Sequence, residues 1–80
     1  MKKGYEFSLE EFQQLLEYIS RHHIYQIANE LNLKASSREK KWRFLDLDGA
    51  VIPINEVYRR IQKNPQSKRS VYNLWMGYFR

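Results

Sequence analysis

Eighty residues, no cysteine and a net charge of +5 bound this chain to one small domain, residues 1–80, with neither a disulfide framework nor a thiolate zinc site to brace it. A chain so short buries only roughly 60% of its unfolded surface, so packing must hold it, and two Trp, six Tyr and four Phe supply the large side chains. The opening Met1-Lys2-Lys3-Gly4-Tyr5-Glu6 is charged, without the apolar stretch of a secretory signal, and no apolar run approaches the roughly 18 residues that cross a bilayer; the expectation is a cytoplasmic protein with no membrane contact.

The first element is announced by Ser8-Leu9-Glu10-Glu11, a capping box in which Ser8 and Glu11 satisfy each other's amides. Phe7 and Phe12 stand at the positions of a hydrophobic staple, and Phe12, Leu15, Leu16 and Ile19 follow at helical spacing. A second apolar set, Ile24, Ile27, Ala28 and Leu31, keeps the period but shifts its phase across Arg21-His22-His23. The pattern predicts two helices, with one bent helix as the alternative. Lys34 to Arg43 holds five Lys/Arg and no aliphatic residue larger than Ala35, and reads as a loop or a polar helix.

Asp48-Gly49 between two apolar runs predicts a hairpin over about 42–54, closed by a two-residue type I′ turn. That turn pairs Leu47 with Ala50, Asp46 with Val51, Leu45 with Ile52 and Phe44 with Pro53. One face then carries Leu45, Leu47, Ala50, Ile52 and Ile54 as core, and the other carries Trp42, Phe44, Asp46, Val51 and Pro53. Pro53, having no amide donor, belongs at an edge or a strand end. Asn55 is the expected cap of a third helix with Val57, Tyr58 and Ile61 inward, ended by Asn64-Pro65. Ser67 or Ser70 starts a last helix running through Phe79. Its stripes, Val71, Leu74, Trp75 and Tyr78 on one side and Tyr72, Met76 and Phe79 on the other, exceed what a short terminal helix hides alone.

The expected fold is therefore α+β and mostly helical: two N-terminal helices, one hairpin and two C-terminal helices. Tyr25 to Leu33 resembles the first helix and turn of helix-turn-helix proteins, with Ala28, Asn32 and Leu33 at the small and apolar places of that motif. The resemblance implies a second, recognition helix next, but its apolar positions are occupied by Arg38 and Lys41. A helix pair followed by the basic hairpin of Lys40-Lys41-Trp42-Arg43-Phe44 is similar to the layout of winged-helix modules, and Gly49 to Val57 resembles the wing-to-helix passage of excisionase-type DNA-binding proteins.

Phe44 to Val51 also resembles the Asp-x-Asp-Gly nucleophile motif of haloacid dehalogenase phosphatases, departing from it at Ala50. The resemblance implies a carboxylate nucleophile and magnesium, yet the hairpin turn explains the same letters, and no catalytic residue is assigned. An EF-hand opening at Asp46 fails at Val51 and Val57, where it needs Gly and Glu. His22 and His23, being adjacent, diverge from a helix and do not share a metal easily. No cofactor, metal or enzymatic activity is expected.

Charge supplies the functional expectation. Residues 1–33 carry three Lys/Arg against five acids, whereas residues 34–80 carry eleven against four. Such asymmetry suits a polyanion, with lysine and arginine displacing counterions from phosphates and an aromatic ring stacking on a base. The expected partner is nucleic acid, DNA ahead of RNA, contacted by Lys34, Arg38, Lys40, Lys41, Trp42 and Arg43, with Arg59, Arg60, Lys63, Lys68 and Arg69 as a second cluster. The alternative is a non-catalytic protein-interaction module (an adaptor, inhibitor or antitoxin-like protein). Its surface, or a homodimer interface, would be Tyr72, Trp75, Met76 and Phe79.

Overall fold

The computed structural model describes residues 5–39 and 41–79. Seven elements run in order: α1 (Leu9–Tyr18), α2 (Arg21–Glu30), β1 (Lys34–Arg38), β2 (Lys41–Leu45), β3 (Val51–Ile52), α3 (Ile54–Lys63) and α4 (Pro65–Phe79). The α+β class, the paired helices at each end and the central hairpin are as expected; an additional strand, β1, makes the sheet three-stranded.

The capping box forms as read: the Ser8 amide donates to Glu11 Oε1 at 2.7 Å and the Glu11 amide to Ser8 Oγ at 3.1 Å. The Phe7 and Phe12 rings lie 6.3 Å apart, closing the staple beneath the cap. The helix break falls one step earlier than the phase shift implied, at Ile19-Ser20, with Ser20 capping α2 and both histidines inside its first turn. At the far end of α2, Asn32 takes φ +59 while the Leu33 amide donates to the Ala28 carbonyl at 2.8 Å and the Asn32 amide to the Asn29 carbonyl at 3.1 Å. This Schellman closure turns the chain back on itself.

Beyond that closure the chain forms a strand. Lys34–Arg38, read as loop or polar helix, pairs antiparallel with β2 in unbroken register, from Lys34 opposite Leu45 to Arg38 opposite Lys41. The recognition helix implied by the helix-turn-helix resemblance is thus absent from its expected place, because five residues with one apolar member serve as the outermost strand of a sheet. Glu39, at φ +54, begins the reversal between them, in the left-handed region that type I′ turns require.

The second hairpin departs from expectation by one residue. Phe44 pairs with Ile52 and Leu45 with Val51, so the connection is longer than the predicted two-residue turn. The Gly49 amide donates to the Asp46 carbonyl, the Asp46 amide donates to the Ala50 carbonyl, and Gly49 alone holds positive φ, at +94. This is a type I turn with a glycine bulge, stabilised by Asp46 Oδ1, which accepts from the Asp48 and Ala50 amides at 2.9 Å each. Because side chains alternate, the one-residue slip exchanges the faces of the first strand, while Ile52 stays inward and Val51 outward as expected. Phe44 is buried and Leu47 is 66% exposed, the reverse of what was expected for the arm before the turn.

The inward face, Ala35, Trp42, Phe44 and Ile52, closes onto a core of Phe12, Leu15, Ile24, Ile27, Val57, Ile61 and Val71. α3 begins behind Pro53 with no side-chain cap, not at Asn55, while Val57 and Ile61 are buried as predicted. The final helix starts at Pro65, ahead of both candidate serines: Asn64 Oδ1 accepts from the Gln66 and Ser67 amides, and proline suits the first helical position. Ser67 is instead fully buried. Tyr58 ties α3 to the segment before α1, its hydroxyl donating to the Phe7 carbonyl at 2.7 Å.

Candidate nucleic-acid interface

Register decides which basic side chains meet. With Ala35, Trp42, Phe44 and Ile52 turned inward, alternation turns Lys34, Ser36 and Arg38 of β1 and Lys41 and Arg43 of β2 outward. All five are exposed. Side chains on one face recur every ~6.7 Å along a strand and every ~4.8 Å between strands, so four cations share a patch a few residues across. Arg38 stands directly opposite Lys41, and Arg43 opposite Ser36. Like charges placed opposite each other destabilise a sheet. Among the described residues none of these four cations joins an ion pair.

The remaining predicted contacts are distributed elsewhere. Lys40 lies outside the described residues. Trp42 points to the other face, half-buried, with its ring edge-on to Tyr25 at 5.5 Å, so it buttresses the sheet from within and offers no stacking surface beside the cations. Arg59 and Arg60 both reach Glu56, at 3.4 and 3.3 Å. Lys68 is held by Glu6 at 3.0 Å, and Arg69 lies over the Tyr5 ring at 5.7 Å. Lys63 is exposed in the last turn of α3. Helices α3 and α4 pack on the core side of the sheet, so this second cluster does not extend the outward patch.

The aromatic C-terminal residues separate as well. Tyr72 packs edge-on against Tyr5, whereas Trp75 stacks on Phe79 at 4.1 Å and Phe79 meets Tyr18. Tyr18, Met76, Tyr78 and Phe79 remain exposed. His23 Nδ1 lies 3.2 Å from Ser20 Oγ and 3.4 Å from the Tyr78 hydroxyl. Among the described residues no three His, Asp or Glu side chains cluster as metal ligands do, and no helix is long and apolar enough to cross a membrane.

A groove of about 650 Å³ opens between α2 and the start of β1, lined by His22, Tyr25, Gln26, Asn29, Lys34 and Ala35 among others. In the sequence its α2 residues stand out only as a discarded metal ligand, His22, and as part of the helix-turn-helix resemblance, not as one face, although that signal was there: positions 22, 25, 26 and 29 recur at helical spacing on the side opposite Ile24, Ile27 and Ala28.

Compared with protein-family models, with curated proteins and with solved structures, the chain matches none.

Proposed function

We propose that this chain is a non-catalytic nucleic-acid-binding domain whose contact surface is the outward face of its sheet. The observation that carries this reading is the convergence of Lys34, Arg38, Lys41 and Arg43 on one exposed face without acidic partners among the described residues. A surface that holds like charges opposite each other is disfavoured in isolation and is relieved when phosphates arrive. DNA is favoured over RNA because a two-stranded antiparallel ribbon fits the major groove of B-form DNA, whereas the A-form major groove is too narrow for side chains to read. The reading uses no recognition helix.

The test is a salt titration against duplex and single-stranded oligonucleotides. Four phosphate contacts predict log K falling against log salt with a slope of about −3.6 on duplex and about −2.8 on a single strand. Lys41→Ala with Arg43→Ala should flatten the duplex slope to about −1.8. Absence of binding to either oligonucleotide at low salt would sink the reading.

A second reading, self-association through the end of α4, is favoured by the exposed cluster of Tyr18, Met76, Tyr78 and Phe79. It predicts a concentration-dependent dimer in sedimentation, weakened by Phe79→Ala; a monomer throughout would exclude it.

A further inference from the structure

The sheet order β1-β2-β3 leaves two edges, and they are not equivalent. The β3 edge is two residues long and ends at Pro53, the sort of edge that resists further pairing. The β1 edge is five residues long, with no proline and no bulge in its register. Its hydrogen-bonding groups can be assigned from the hairpin. The Asp46 amide bonds to the Ala50 carbonyl, and bonded pairs alternate along an antiparallel ladder, so Phe44 and Ile52 form the next bonded pair. Arg43 and Leu45 must then turn their backbone groups toward β1, where they face Ser36 and Lys34. The amides and carbonyls of Ala35 and Ser37 consequently point away from the sheet.

We propose that the β1 edge, with the groove beside α2, is a docking site for an extended acidic peptide segment of a partner protein, added as a fourth strand. Backbone bonds to Ala35 and Ser37 supply the pairing, and the groove takes alternate side chains between Tyr25, Gln26 and Asn29 on one wall and Ala35 on the other. Charge selects the occupant. Side chains of the incoming strand on the outward face lie beside Lys34 and Arg38, so glutamate or aspartate there is paired and lysine is repelled. The same argument disfavours a second copy of this chain in the register that pairs the whole of β1: two such strands antiparallel about Ser36 set Lys34 opposite Arg38 of the partner subunit, twice over. The docking site shares Lys34 and Arg38 with the nucleic-acid face, but its pairing stands on the backbone edge of Ala35 and Ser37, which phosphate contacts by outward side chains do not use.

The probe is an octapeptide of alternating glutamate and valine, with its lysine–valine counterpart and a form N-methylated at alternate amides as controls. Hydrogen exchange at the Ala35 and Ser37 amides should slow with the glutamate peptide, and N-methylation should weaken binding about tenfold or more, the equivalent of one or two backbone hydrogen bonds. Ser37→Pro removes an outward donor without touching the β1–β2 ladder, and should weaken the peptide by a similar factor while the ladder amides stay protected. Lys34→Glu with Arg38→Glu should reverse the preference toward the lysine peptide. Equal affinity of the N-methylated peptide would overturn the proposal, because charge alone would then be responsible. Protection of Ala35 and Ser37 by an oligonucleotide but not by the peptide, or by self-association that Ser37→Pro abolishes, would overturn it too. Lys41→Ala with Arg43→Ala, which alters the nucleic-acid slope, should leave protection of these two amides in place.

Discussion

Asp46 and Gly49 divide the work of the second turn. Asp46 holds the backbone with one carboxylate oxygen that accepts two amides, and Gly49 supplies φ +94 with no atom within 4 Å of where a Cβ would stand. Gly49→Ala therefore meets no clash, and its cost is conformational: about 1–2 kcal/mol by urea unfolding. A loss below the resolution of that measurement would mean the turn rearranges. Phe44 is a different case, a fully buried ring touching sheet and helices alike. Phe44→Ala should cost about 3–5 kcal/mol, enough to leave little folded protein at marginal stability. Tyr58→Phe isolates a single bond: it keeps the ring and deletes the hydroxyl that reaches the Phe7 carbonyl. The expected loss is about 1 kcal/mol.

Among the elements, Asn64 joins α3 to α4 alone. Its amide closes α3 on the Ile61 carbonyl while its side chain caps α4. Asn64→Ala should lower stability by about 1–2 kcal/mol, and Asn64→Asp should restore most of it; failure of the aspartate to rescue would show that the cap is not what stabilises the junction. The helices were the legible part of this chain because their signals are local: a capping box, a staple, a proline after the last turn. The sheet was less legible. β1 has one inward apolar residue, Ala35, so the alternation that marks a strand is nearly invisible, and its polar residues read as loop. Asp48-Gly49 correctly marked a hairpin, but the choice between a two-residue turn and a bulged one depends on which face finds a core, and Phe44 prevails over Leu47 because α3 offers it Val57 and Ile61. The basic residues of the candidate site were readable as one group. The place of Trp42 was not, since it is adjacent to Arg43 in sequence and the two part to opposite faces.

Over the whole molecule, net charge and size together set a salt response. The Cα envelope measures 40 × 23 × 19 Å. At 0.01 M salt the Debye length of about 30 Å spans most of it, and at 0.1 M, about 10 Å, it covers less than the shortest dimension. A chain of charge +5 with three ion pairs among the described residues should therefore gain stability on that step, its Tm rising by a few degrees, and Arg38→Glu should raise the low-salt Tm and flatten the response. A Tm falling with salt would mean that attractive pairs dominate instead. The division of the two tryptophans between distant neighbourhoods has a practical consequence. Trp42 lies against Tyr25 under the sheet, and Trp75 lies against Phe79 at the end of α4. With Trp75→Phe, tryptophan emission, excited selectively over the six tyrosines, comes from the sheet alone, and with Trp42→Phe from the C-terminal helix alone. The two single-tryptophan proteins thus form a pair of optical reporters, able to tell an event at the strands from one at the helix end without any added label.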